Sequence, residues 1–239
     1  MRKALTYTLL LFLSLACGPT QQAPADEPET KANTKHSPHA HGPHTNAPLG
    51  HRFEDAEEWA KRFDDPTRDT WQMPTEVVTS MRIEAGMRIA DIGAGTGYFL
   101  PYLSAAAGAS GTVLGLDIEA DMVRYMEMRA EREKLLNVSA RVVTVGDPEL
   151  SPGSVDRILI VDTWHHLPER AAYAKKLAAA LTNGGNIVIV DFTMETKRGP
   201  PKAHRLSADS IVAELTQAGL RAEIIKEPLP DQFIVRASR

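Results

Sequence analysis

Arg88-Ile89-Ala90-Asp91-Ile92-Gly93-Ala94-Gly95-Thr96-Gly97-Tyr98-Phe99 passes from a short apolar run through three alternating glycines into apolar residues with helical spacing. An apolar run of that length, closed by glycines and followed by a helix, reads as the first strand–turn–helix unit of an α/β sheet. Glycine lets the backbone turn sharply and lets a ligand approach with no Cβ in the way. Open α/β sheets bind ligands outside the carboxyl ends of their strands, which is where this turn falls. The dinucleotide fingerprint needs its third glycine three residues after the second, and that position holds Tyr98.

Downstream, strand and helix alternate with little spare chain. The pattern predicts strands near 88–92, 112–117, 140–145, 155–161, 186–191, 221–225 and 233–236, and helices near 98–107, 120–135, 169–181 and 208–218. Arg157-Ile158-Leu159-Ile160-Val161 and Ile187-Val188-Ile189-Val190 are almost wholly apolar, as strands covered on both faces of a parallel sheet are. Gly184-Gly185 reads as a helix stop and tight turn. No helix fits between the last two strands, so they are expected to pair antiparallel. The expected fold is a doubly wound Rossmann-like α/β sheet, mostly parallel with one antiparallel strand and helices on both faces.

The 239 residues carry a net charge of −4, which leaves no global positive field to gather nucleic acid. A single cysteine, Cys17, excludes a disulfide framework and CxxC-type metal sites. Arg2 and Lys3 precede an apolar run from Ala4 to Leu15, the pattern of a signal peptide over 1–16. Leu15-Ala16-Cys17-Gly18 resembles a bacterial lipoprotein cleavage box, although Ser14 stands where leucine is usual. The resemblance implies lipidation at Cys17, a membrane-anchored lipoprotein, and a mature domain outside the cytosol. Residues 17–50 are polar and proline-punctuated, too poor in apolar groups to offset the entropy of ordering, and read as a tether. Its His36, His39, His41 and His44 are either a weak metal-binding tract or simply solvated. Residues 51–83 read as a helical extension and 84–239 as the main domain.

Asp91-x-Gly93-x-Gly95-x-Gly97 resembles the nucleotide loop of class I S-adenosylmethionine-dependent methyltransferases, and the likeness extends in element order from about Pro74 to Arg236. It implies S-adenosylmethionine as cofactor, with Asp91, Gly93, Ala94, Gly95 and Gly97 around its methionine and ribose portions. Asp117, ending the second strand, is implied to take the ribose hydroxyls, with Ile118 beside it and Asp147 near the adenine. Asp162 at the end of the fourth strand is implied to face cofactor and substrate. His165-His166-Leu167-Pro168 is similar to the small-molecule methyltransferases of the quinone-biosynthesis type.

Each of these residues has a plainer reading as well. Asp117 fits a helix entry, Asp147 before Pro148 fits a turn, and Asp162 fits a helix N-terminus. His165 and His166 fit packing roles, and Trp71 and Met73 fit the core of the extension. On the catalytic reading His166 is the first choice of base and His165 the second. Trp71, as part of a lid, or Trp164 offers an aromatic face to the cationic sulfonium. The competing function is a membrane-anchored lipoprotein that keeps the fold without catalysing. The acceptor is expected to be a small molecule held by the extension and by residues 192–205. Nothing in the sequence names it, and the oligomeric state is equally unread.

Overall fold

The apolar runs Ile158–Val161 and Ile187–Val190 lie side by side at the centre of a seven-stranded sheet. The computed structural model describes residues 55–226 and 229–239. The expected signal peptide, Cys17 and the tether with its histidines lie outside the described residues. The strands are β1 (Arg88–Ile92), β2 (Thr112–Asp117), β3 (Val138–Val142), β4 (Val155–Val161), β5 (Leu181–Phe192), β6 (Arg221–Ile225) and β7 (Gln232–Ser238). Their spatial order is β3-β2-β1-β4-β5-β7-β6. β1 pairs parallel with β2 and β4, β2 with β3, and β4 with β5. β7 runs antiparallel between β5 and β6, as the missing helix before it requires.

Side chains alternate across the sheet with period two. Ile158, Ile160, Ile187 and Ile189 pack on one face with Tyr173 and Leu177 of α6 (Arg170–Ala180) and Ile211 and Leu215 of α7 (Ala208–Gln217). Leu159, Val161, Val188 and Val190 pack on the other face. There they meet Val77 of α3 (Pro74–Ser80), Leu100 and Leu103 of α4 (Leu100–Ala107), and Met126 of α5 (Ala120–Glu133). Each such fully buried branched side chain contributes about 1.5–3 kcal/mol, so these two layers are the main source of stability.

Two expected boundaries moved. β3 lies two residues earlier than 140–145, because register with β2 pairs Val113 with Val138 and Asp117 with Val142. It is an edge strand, and Val142 and Val145 in the apolar run that suggested the later position are exposed. In the second case Leu181 already pairs with Val155, and pairing resumes at Asn186 opposite Arg157. Gly184-Gly185 therefore lies in an irregularity inside β5, not in a turn before it.

The chain steps outward from β1 to β3, then crosses back to place β4 on the other side of β1. That reversal opens a crevice at the carboxyl ends of β1 and β4, the place where this architecture binds ligands. Over it lies a strap of α1 (Ala56–Phe63), a short turn at Pro66–Arg68 and α2 (Asp69–Gln72). Among the described residues no helix is long and apolar enough to cross a membrane.

Candidate active site

The glycine loop after β1 is shaped for close approach. Gly93 has φ of 67°, and a Cβ there would stand 2.4 Å from the Thr163 side chain. Gly95 also takes positive φ, at 57°, and its N–H donates to Asp117 Oδ2 at 2.9 Å. Asp117 Oδ1 accepts from Glu119 N at 3.0 Å, so one carboxylate ties the loop to the turn that enters α5. The ribose and helix-entry readings of Asp117 are therefore compatible, since each oxygen has a further lone pair. Burial raises the Asp117 carboxyl above its usual range. Ile118 is 50% exposed, an apolar surface at the mouth of the crevice beside Asp117.

Two more carboxylates converge here. Asp91, 3% exposed at the end of β1, is pushed up to about 7 by burial, with the Arg68 charge opposing and Asp117 adding to the shift. Asp162, one residue past β4, is likewise raised to about 7 by burial and then by Asp191, opposed by Arg68 and His165. Its backbone is left-handed, with φ of 51°. Two carboxylates that burial makes costly to ionise suit a ligand that brings positive charge.

The cation that faces them comes from the strap. Arg68 lies over the Tyr98 ring at 3.9 Å, and its Nη1 donates to the Phe63 carbonyl at 2.7 Å. Asp64 accepts the Thr96 hydroxyl of the glycine loop at 2.8 Å and pairs with Arg129 of α5 at 2.7 Å. Tyr98 donates its hydroxyl to Asp69. Trp71 stacks on Phe192 at 6.1 Å and carries Arg198 over its ring at 5.0 Å, so it joins the strap to the loop after β5. Met73 packs partly against the core.

The paired histidines diverge. Trp164–His166 forms a single tight helical turn, which sends neighbouring side chains in different directions. His165 Nδ1 lies 2.9 Å from both oxygens of Asp191, which is fully buried at the end of β5. Asp191 Oδ1 also accepts from Phe192 N at 2.8 Å, which fixes the carboxylate. His166 is half-buried, with its ring 4.2 Å from that of His165. Trp164 turns the other way. It is fully buried, donates Nε1–H to Glu214 of α7 at 2.7 Å and packs edge-on against Tyr173. Its ring is committed to the core beneath α7, which corrects the expectation that it faces a sulfonium.

Asp147 sits in an exposed turn, pairs with Lys176 at 2.8 Å and accepts from Glu149 N. Its carboxylate is thus already engaged in the turn geometry that its place before Pro148 suggests. Sequence reasoning missed Asp191, Arg68, Asp64, Gln72 and Gln232. Asp191 carried the signal that picked out Asp117, an acidic residue closing an apolar strand.

The crevice suits S-adenosylmethionine by its own chemistry: a glycine cradle that a Cβ would fill, a carboxylate for ribose hydroxyls, and buried acids facing a net cation. A protein-family model described as a methyltransferase domain matches residues 83–226. Methyltransferase GfsG of Streptomyces halstedii is 26% identical over 132 residues, covering 54% of this chain and 47% of that one. Nocamycin O-methyltransferase of Saccharothrix syringae is 32% identical over 102 residues, covering 43% and 36%. The chain thus matches about half or less of the length of these curated relatives. A crystal structure of a SAM-dependent methyltransferase from Aquifex aeolicus superposes with a TM-score of 0.72 at 28% identity, covering 77% of this chain and 98% of the other. With its loop, its strand-end acids and its sheet order in place, the chain belongs to the methyltransferase-domain family, and its cofactor is S-adenosylmethionine.

Proposed function

We propose that the protein transfers a methyl group to a hydroxyl of a small molecule, with His165 as the base and Asp191 as the group that orients it. The observation that carries this reading is the buried His165–Asp191 pair at the carboxyl ends of β4 and β5. A carboxylate on Nδ1 fixes the tautomer in which Nδ1 carries hydrogen and Nε2 the lone pair. It also stabilises the imidazolium that forms when Nε2 takes a proton. The likeness to an O-methyltransferase supports an oxygen acceptor, since a hydroxyl must lose its proton where a thiolate or neutral amine need not.

When bound, S-adenosylmethionine supplies a methyl carbon made electrophilic by its sulfonium. The chain's task is then alignment. Gly93, Ala94, Gly95 and Gly97 with Asp117 would hold the nucleoside end, and Asp91 and Asp162 would meet the positively charged end. Holding acceptor and methyl in line supplies the larger part of the acceleration, and a placed base adds typically 10²–10⁴-fold. His166, its ring tilted at 40° beside that of His165, then serves as wall and not as base. Trp71 and Phe192 frame the acceptor side. The His165 side chain is 2% exposed, so this reading requires the acceptor to come against Nε2 from beneath the strap.

A panel of phenols, enols and alcohols offered with methyl-labelled cofactor tests the reading. His165→Ala should lose the transfer that His166→Ala retains. Transfer that survives His165→Ala at full rate would remove the base.

From the signal-peptide pattern expected over 1–16 we further propose that this chemistry takes place on a lipid-anchored protein. The non-catalytic alternative draws its argument from the same signal, because the cofactor is made in the cytosol.

A further inference from the structure

Gln72 and Gln232 are the most deeply buried amides near the crevice, and they touch each other across 160 residues of chain. Arg68 donates to Gln72 Oε1 through Nε at 3.2 Å and Nη2 at 3.0 Å. Gln72 Nε2 donates to Gln232 Oε1 at 2.6 Å, and Gln232 Nε2 donates to Asp162 Oδ1 at 2.7 Å. The two ends fix the direction of the whole row. A guanidinium only donates, so Gln72 must turn its oxygen to Arg68. Its nitrogen is then left for Gln232, whose own nitrogen is left for Asp162. Every dipole points from the cation to the carboxylate, an arrangement in which successive hydrogen bonds polarise one another.

Burying two primary amides is costly unless they are paired, and this pair makes one connection only, between the strap and the end of β4. Arg68 is held for that purpose by the Phe63 carbonyl and the Tyr98 ring. The same strap holds the glycine loop through Asp64 and Thr96. Asp162 is otherwise faced by Asp191 from β5 and by His165 from the turn after β4, with Arg68 as the strap's charge.

We propose that Gln72 and Gln232 are positioning residues, a one-way relay by which Arg68 of the strap orients the Asp162 carboxylate and favours its ionised form for the cationic cofactor. This rests on the reading that Asp162 borders the cofactor. It makes cofactor affinity depend on a strap residue that need not touch the cofactor. The relay also explains why β7, whose strand starts at Gln232, is bound to the amino-terminal segment through side chains.

The test is titration of S-adenosylmethionine into the full chain by calorimetry between pH 6 and 9, with thermal melting beside it. Wild-type affinity should rise with pH through about 7, as Asp162 ionises. A hydrogen bond to a charged group is equivalent to roughly one to two pH units. Gln232→Leu should therefore move that rise upward by about one unit and lower affinity at pH 7 about fivefold. Gln72→Leu leaves Asp162 its direct partner, so it should move the rise the same way by less. Asp162→Asn should remove its share of the rise and leave the share that Asp91 carries, and adding Gln232→Leu to Asp162→Asn should change affinity less than about twofold. Wild-type binding itself reports on the cofactor site, and only the differences report on the relay. An unshifted rise in either glutamine variant, or an equal loss from Gln232→Leu with and without Asp162, would overturn it. Gln72 belongs to the short strap helix and not to the sheet, and melting curves establish its variant's folding, so Gln72→Leu decides the matter even if Gln232→Leu does not fold.

Discussion

Asp162→Asn should stabilise the cofactor-free protein at alkaline pH while weakening its hold on the cofactor. In the folded chain the Asp162 carboxyl is raised from 3.8 to about 7. Between those values the native state keeps a proton that the unfolded chain releases. Stability from this group is thus fully present below about pH 4 and is lost progressively as pH rises to 7. About three pH units at 1.36 kcal/mol each set a ceiling of roughly 4 kcal/mol. Asp91 is raised equally, and two such full losses would consume much of a native stability of about 5–15 kcal/mol. Relaxation and water entry reduce the loss, so about 2 kcal/mol is the expected gain for Asp162→Asn at pH 8. For a domain of this size that is a rise in melting temperature of about 4–8 °C. The substitution is otherwise mild. The amide oxygen still accepts from Gln232, and asparagine is at ease in the left-handed backbone at this position. Melting curves at pH 5 and pH 8 make the assay. At pH 5, already above the unfolded value of 3.8, the variant should melt higher by only part of its advantage at pH 8, and with saturating S-adenosylmethionine the wild type should gain more. A variant that melts at or below the wild type at pH 8 would refute the claim that burial strains this carboxylate.

Asp191→Asn should lower transfer to a hydroxyl acceptor about 10²–10⁴-fold while cofactor affinity stays within a few-fold, read by labelled-methyl turnover and calorimetry; equal turnover would show that no oriented base operates. Cys17→Ala in the full-length chain, expressed in a bacterial host, should shift the protein out of the membrane fraction, because two or more acyl chains are needed for stable attachment. If both forms fractionate as soluble cytosolic protein with Met1 intact, the lipoprotein reading fails, and with it the difficulty of cofactor supply.

The parallel core was legible because strands covered on both faces are apolar throughout, as Ile158–Val161 and Ile187–Val190 are. Asp117 was legible for the complementary reason, an acid that closes such a strand and must therefore have a task at its end. Asp191 carried the same signal, yet its partner could be known only once β4 and β5 were seen side by side. The order of the two histidines was not legible, since a tight turn sends Trp164 to the core and His165 to Asp191, and a string of letters holds no such angles. Arg68, Gln72 and Gln232 were beyond reach. Their roles exist only in a contact across 160 residues, and singly each is an ordinary polar residue of a short segment. β3 was misplaced because at this edge of the sheet apolar residues such as Val142 and Val145 are exposed, so the apolar run does not mark the strand's limits.

The central claim is that the glycine loop and Asp117 hold S-adenosylmethionine. Calorimetric titration of the cofactor into the wild type and Asp117→Ala, with melting curves to establish that both are folded, tests it most directly. Hydrogen bonds to a charged group contribute about 1.5–3 kcal/mol each, so losing one or two should weaken binding on the order of 10- to 1000-fold. The account predicts one cofactor bound per chain by the wild type and a loss in that range for the variant. Equal affinities in the two proteins, or no binding by the wild type, would contradict it.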